Sequence, residues 1–311
     1  YSMKKKIYLI APRGFCAGVT RAVDTVTLAI EKFGAPVYVK HEIVHNKHVI
    51  DELKVKGAVF IEDLNEVPND RPLIFSAHGV SKKITNQAKK EKSEIIDATC
   101  PLVTKVHIQA LKFHNRGYKI ILIGHKNHPE VEGTMGQVPE EDIILVENVQ
   151  DVEKLELTND KIAYITQTTL SVEDTSMVIN KLKSKFPHIE SSPKEDICYA
   201  TTNRQNAVKE FAGDCDAFIV VGSSNSSNSN RLVEVAKNSG CLKSNLIEDA
   251  ASLNVDEYRN YNSIGISSGA SVPDILVMSV IDKLKDSYEL DVEEMTLGDE
   301  NVSFRIPSSL R

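Results

Sequence analysis

Three cysteines recur in matching company along this chain. Cys16 sits in PRGFCAGV, Cys100 in DATCPLVT and Cys198 in DICYATTN, 84 and then 98 residues apart. A polar loop follows each at nearly the same distance. His45 lies 29 residues after Cys16, His128 lies 28 after Cys100, and Ser226 lies 28 after Cys198. A further polar loop comes next each time: SAHG around His78, TQTTLS around Thr168, SSGASVP around Ser271. The pattern reads as three copies of one module, each opened by a thiol and carrying two polar loops. Three modules about a pseudo-threefold axis would bring three thiolates to one point. Three thiolates can hold an iron–sulfur cluster and leave one iron without a protein ligand.

The stretches between these loops set the fold class. Short apolar runs end in polar or glycine-containing loops: 7–14, 73–79, 120–129, 163–169, 218–225 and 263–270. Continuous Val/Ile/Leu runs of this length suit parallel strands buried on both faces. Helical patterns follow the loops. Pro101 suits a first helical position, Val103, Val106, Ala110 and Phe113 repeat at helical spacing, and Gly117 offers a stop. Val19, Ala22, Val26 and Ile30 do the same before Gly34. Strand–loop–helix alternation predicts an α/β architecture with ligands beyond the carboxyl ends of the strands. A βαβ step takes roughly 30 residues, so the loop spacing alone reflects the strand period. The period does not explain why the loop tips are Cys, His, Glu, Thr, Ser or Asn. The boundaries predicted are a first module over 3–99, a second over 100–197, a third over 198–284 and a tail over 285–311. In that tail Val302, Phe304 and Ile306 alternate like an edge strand.

Composition excludes several classes. The net charge of −7 argues against non-specific nucleic-acid binding. No apolar run approaches the roughly 20 residues of a membrane-spanning helix, so no membrane role is expected. Five cysteines at wide spacing suit a reducing compartment better than a disulfide framework. Cys215 and Cys241 lie beside apolar segments and read as packed thiols. Tyr1-Ser2 ahead of Met3 reads as a cloning scar or the cut end of a precursor. The expected location is the cytoplasm of a bacterium, or a plastid-type organelle if a precursor was trimmed.

The anion-binding candidates are HEIVHN (41–46), SAHGV (76–80), GHKNHPEVEG (124–133) and GSSNSSNSNR (222–231). The last follows an apolar strand, precedes the helix pattern LVEVAKN and is dense in small donors, as an anion site at a helix start requires. It lacks P-loop spacing, so no nucleotide is implied. Its plain alternative is a solvated Ser/Asn loop. His128 and Glu130 place an imidazole and a carboxylate two residues apart, a pair suited to moving protons. The plain alternative for Glu130 is a carboxylate that complements a helix start.

Together PRGFCAGV, HEIVHN, FSAHGVS, DATCPLVTKVH, HPEVEGTMGQ, TQTTLSVEDT, DICYATTNRQ, GSSNSSNSNR and GASVPDIL resemble the hydroxymethylbutenyl diphosphate reductases. These are the terminal enzymes of the methylerythritol phosphate route to isoprenoids. The resemblance runs from about residue 5 to 306 in family order. It implies three α/β modules with parallel sheets in a pseudo-threefold trefoil around a central [4Fe–4S] cluster. Cys16, Cys100 and Cys198 would hold that cluster, and its fourth iron would take the substrate hydroxyl. The allylic diphosphate would be held by His45, His78, His128, Thr168, Ser226, Ser227, Asn228 and Ser271. Glu130 would be the proton source, with Thr168 beside it. The resemblance also implies an electron donor protein of ferredoxin or flavodoxin type. Two rivals use the same residues: a zinc hydrolase with Cys, His and Glu ligands, and a non-catalytic electron carrier or redox sensor. The Ser/Asn loop speaks against the carrier, which needs no diphosphate pocket.

Overall fold

The computed structural model describes residues 3–311, so the reading of Tyr1-Ser2 lies outside the described residues. In chain order the elements are β1 (Met3–Ala11), α1 (Ala17–Phe33), β2 (Val37–Lys40), α2 (Lys47–Lys56), β3 (Ala58–Ile61), β4 (Leu73–Phe75), α3 (Lys82–Glu91), β5 (Ile95–Asp97), α4 (Pro101–Asn115) and β6 (Lys119–Ile123). Then come α5 (Pro129–Met135), β7 (Ile143–Val146), α6 (Val149–Glu153), β8 (Ile162–Thr166), α7 (Val172–Lys185), β9 (Glu190–Ser191), α8 (Tyr199–Phe211), β10 (Ala217–Val221), α9 (Ser227–Asn238), β11 (Ser244–Ile247), β12 (Ser263–Ser268), α10 (Asp274–Lys285) and β13 (Tyr288–Thr296). The chain forms two compact units. One comprises residues 3–17, His45–Val49 and Tyr199–Val302; the other comprises Gly18–Val44, Ile50–Cys198 and Ser303–Arg311.

The first unit holds one parallel sheet in the order β11-β10-β12-β1-β13. Its side chains alternate between two cores. Ala217, Ile219 and Val221 face α10 through Val277, Val280, Ile281 and Leu284. Phe218 and Val220 face α8 and α9 through Ala207, Val208, Leu232 and Ala236. Burial on both faces explains the unbroken apolar run of β10.

The second unit holds two parallel sheets, β3-β2-β4-β5 and β7-β6-β8-β9. In the latter, Ile120 and Leu122 pack on Val106, Ala110 and Phe113 of α4. Ile121 and Ile123 pack on Val178 and Leu182 of α7. α4 begins at Pro101, and Gly117 just past its end has φ +79°, so both helix signals hold.

The sheet orders correct the reading of where a module begins. Each sheet runs second, first and third strand of a module, then the strand that leads into a cysteine. That fourth strand is β5 before Cys100, β9 before Cys198 and β1 before Cys16. The cysteine closes a module instead of opening one, and β1 completes the module made by the end of the chain. Residues 3–11 therefore belong with β10–β12, not with a module over 3–99. The tail differs as well. Val302, Phe304 and Ile306 form no strand. The edge is β13, paired with β1 from Met3↔Tyr288 to Ala11↔Thr296.

Candidate active site

The backbone treats the three module cysteines alike. Cys16 N–H donates to the Ala270 carbonyl at 3.1 Å, Cys100 N–H to Ala77 at 3.0 Å, and Cys198 N–H to Thr168 at 3.0 Å. Each acceptor lies in the loop after the third strand of the same sheet, beside or at a candidate residue: Ser271, His78 and Thr168. A helix starts directly after each cysteine, at Ala17, Pro101 and Tyr199. All three are half-buried and none is in a disulfide. Cys215 and Cys241 differ. Both lie in the α8–α9 core, burial pushes the Cys215 thiol up to about 12, and burial raises Cys241 too. They are packed thiols, as expected. The donor set thus separates into three accessible thiols at strand-to-helix junctions and two inert ones. That fits a cluster held by three cysteines.

The chain around Cys16 is held by α8. Gly14 has φ +69°, and a Cβ there would meet the Val272 carbonyl at 3.0 Å, so a side chain is disfavoured twice. Ala17 N–H donates to Tyr199 Oη at 3.1 Å. Arg204, 1% exposed, donates from Nη2 to the Gly14 carbonyl at 2.7 Å and from Nη1 to both oxygens of Glu300 at 3.0 Å. The sequence reading passed over Arg204 although it lies in DICYATTNRQ, because a single arginine in a helix carries no period or spacing. Arg204→Met should strand Glu300 and the loop carbonyls. Breaking a buried pair costs about 3–5 kcal/mol, and Glu300 keeps 16% exposure, so the low end is expected in chemical denaturation. A loss below about 1 kcal/mol would remove the clamp.

In the same unit three polar loops interlock. Ser271 Oγ donates to the His45 carbonyl at 2.9 Å. Ala270 N–H donates to Asn228 Oδ1 at 2.8 Å. Lys47 N–H donates to Ser223 Oγ at 3.3 Å. α9 starts inside the Ser/Asn run, earlier than the LVEVAKN pattern suggested. Ser226 is its cap, with Oγ accepting from Ser229 N–H at 3.2 Å, and Ser227 is its first residue. Ser226, Asn228 and Ser271 are buried and Ser227 is half-buried. A merely solvated loop does not bury its polar side chains, so this run is built structure.

In the second unit His78, His128, Glu130 and Thr168 come together. Gly136 makes the approach possible, because a Cβ there would lie 2.3 Å from the Ser81 Cβ. Lys82 N–H then donates to the Gly136 carbonyl at 3.0 Å, docking the end of α5 on the loop that follows His78. The His78 and His128 rings meet edge-on at 5.9 Å. Glu130 N–H donates to His128 Nδ1 at 3.1 Å. Nδ1 is thereby an acceptor, and the neutral ring carries its proton on Nε2.

Glu130 is 2% exposed. Its Oε1 accepts from Thr168 N–H at 2.7 Å, and its Oε2 from Thr168 Oγ1 at 2.9 Å. Burial pushes its pKa up to about 7, and Asp196 adds to that against the two Thr168 bonds. Glu130 does lie in the first turn of α5, as the plain alternative required. A carboxylate serving only the helix dipole would stay in water with an ordinary pKa. Asp196 is a second residue that sequence reasoning missed. It accepts from Thr166 N–H at 3.1 Å, and burial raises its pKa. The available signal was the Asp just ahead of two of the cysteines, in DATC and DIC.

Among the described residues, no three His, Cys, Asp or Glu side chains converge as ligands of one metal ion. No helix of the described residues is long and apolar enough to cross a membrane.

Comparison with known proteins identifies the family. The family profile for LytB protein matches residues 7–285. A protein of Ruegeria sp. (strain TM1040) is 53% identical over 306 residues, spanning 98% of this chain and 97% of its own length; it is named 4-hydroxy-3-methylbut-2-enyl diphosphate reductase. A protein of the same name from Beijerinckia indica subsp. indica is 53% identical over 310 residues, spanning 99% and 97%. Among solved structures, the E-1-hydroxy-2-methyl-but-2-enyl-4-diphosphate reductase of Plasmodium falciparum matches with TM-score 0.94 and 44% identity, over 99% of this chain and 97% of that one. The chain belongs to the LytB family.

Proposed function

We propose that this chain is a 4-hydroxy-3-methylbut-2-enyl diphosphate reductase, an oxidoreductase that removes the allylic hydroxyl of its substrate. The products are isopentenyl and dimethylallyl diphosphate, at the end of the methylerythritol phosphate route. The balance is two electrons and two protons in, and one water out. The observation that carries the reading is Glu130: a buried carboxyl, doubly bonded to Thr168, with a pKa near neutrality.

Cys16, Cys100 and Cys198 would hold a [4Fe–4S] cluster. When bound, that cluster supplies single electrons and a Lewis-acidic iron. The protein does the rest. Glu130 delivers a proton to the departing hydroxyl, so that water leaves instead of hydroxide. Thr168 holds both Glu130 oxygens and fixes where the proton points. The diphosphate goes to His45, His78, His128, Thr168, Ser226, Ser227, Asn228 and Ser271. His128 offers it Nε2–H, the tautomer set by Glu130 N–H. The zinc-hydrolase rival needs ligands converging on one ion, and family membership with a reductase speaks against it.

The test is anaerobic turnover. Purified holoenzyme with reduced methyl viologen and the allylic diphosphate should yield both five-carbon products. Release of inorganic phosphate with no reduced product would instead support a hydrolase. Asn228→Ala checks the diphosphate site. A hydrogen bond to a charged group is worth ~1.5–3 kcal/mol, or roughly 10–150-fold in affinity. Calorimetry with an inert diphosphate analogue should show a loss in that range. Unchanged affinity would remove Asn228 from the site.

A further inference from the structure

Two grooves lie beside cysteines, one in each compact unit, and their charges are opposite. In the first unit a groove of about 520 Å³ runs along residues 11–15, just ahead of Cys16. Asp274, Glu294, Asp299 and Glu300 line it with one base, Arg13, paired with Asp274 at 3.0 Å and Glu294 at 3.8 Å; Arg204 pairs with Glu300 from beneath, and the acids stay in excess. In the second unit a groove of about 710 Å³ is lined by Thr99 and Pro101, the neighbours of Cys100 on either side. Here Arg21, Lys105, Lys112 and Arg311 face a single acid, Asp97. The chain as a whole carries −7, so this concentration of cations is a local feature. Ile108 adds an exposed apolar side chain to the same lining, at 48%. A cationic patch of this kind complements an acidic partner.

The cations are held in place. Arg21 donates to the Thr99 carbonyl at 3.0 Å and to the Arg305 carbonyl at 2.7 Å. Lys105 donates to the Glu195 carbonyl at 3.0 Å. Lys105 also pairs with Asp196 at 3.5 Å, whereas the carbonyl partners of Arg21 leave its charge unneutralised. Lys112 is exposed on α4.

The reaction needs electrons from outside the chain. No two of its glycines stand two residues apart, so the G-x-G-x-x-G dinucleotide fingerprint is absent. We propose that the groove lined by Arg21, Lys105, Lys112 and Ile108 is the docking surface for a small acidic one-electron carrier protein. This rests on the reductase reading above. Each docking oxidises one carrier by one electron, and two dockings supply the pair that one turnover consumes. The acidic groove beside Cys16 repels the same partner, so the Cys100 side is the one it uses.

The test compares donors on anaerobic holoenzyme. The variants are Lys112→Glu, in the groove, and Lys183→Glu, an equal charge change at an exposed position on α7. With a reduced acidic [2Fe–2S] ferredoxin at low ionic strength, Lys112→Glu should lose about tenfold in kcat/KM, in the range of electrostatic steering. Its salt dependence should flatten. Lys183→Glu should lose less than about twofold, the scale of an isolated surface charge. Both variants should match wild type with reduced methyl viologen, which needs no docking. Equal losses with ferredoxin, or no loss in Lys112→Glu, would overturn the docking surface while leaving the reductase reading intact. Failure of wild type with methyl viologen would overturn that reading instead.

Discussion

Glu130→Gln should bind substrate and fail to turn it over. The amide keeps size and shape but has no proton to give at neutral pH. A positioned general acid contributes ~10²–10⁴-fold, so kcat with reduced methyl viologen should fall by that factor while the affinity for the diphosphate stays. The same variant has a second signature in stability. The Glu130 carboxyl sits at about 7 in the folded chain, above its unfolded value of about 4.3. The folded state therefore binds this proton more tightly, and stability falls as pH rises from about 4 to about 7. The difference is on the order of 4 kcal/mol. Glu130→Gln lacks this term. Relative to wild type it should gain stability as pH rises through that window, which melts at pH 4.5 and pH 8 would read. A carboxylate serving only the helix start would give the opposite result: a loss of ~0.3–1 kcal/mol and near-normal turnover.

Cys100→Ser should lose most of the iron, and Cys241→Ser should keep it. Cys100 lies at a strand-to-helix junction with its N–H on the Ala77 carbonyl, half-buried. Cys241 is 2% exposed in an apolar core, with its thiol raised by burial. A serine oxygen is a poor substitute for thiolate toward iron–sulfur clusters. Anaerobically prepared wild type should carry about four irons and four sulfides per chain. Equal iron in the two variants would withdraw Cys100 as a ligand.

Much of this architecture was legible because local patterns agreed with one another. The apolar runs opening 120–129 and 218–225 read as buried strands, and they are β6 and β10; α4 could be bounded from Pro101 to Gly117. Pairing between distant segments was not legible. β1 joins β12 and β13 across more than 250 residues, and nothing in the period of IYLIA says which sheet it enters. The edge strand was misplaced for a related reason. Val302, Phe304 and Ile306 alternate cleanly, whereas the true edge, YELDVEEMT, hides its alternation behind charged side chains that its mostly exposed surface tolerates. The candidate residues around Glu130 could be named from motifs. The depth of Glu130, and with it the shifted pKa, depends on how α5 docks at Gly136 against the His78 loop, a tertiary contact without a sequence period. The clamp of Arg204 on Gly14 likewise spans 190 residues.

The account stands or falls on three thiolates holding a cluster with one iron left for substrate. Mössbauer spectroscopy of the anaerobic protein tests this directly, with and without the allylic diphosphate. The expected spectrum is that of a [4Fe–4S] centre in which about a quarter of the iron is distinct and shifts when substrate is added. Four equivalent irons indifferent to substrate, or a colourless protein containing zinc and no sulfide, would contradict it.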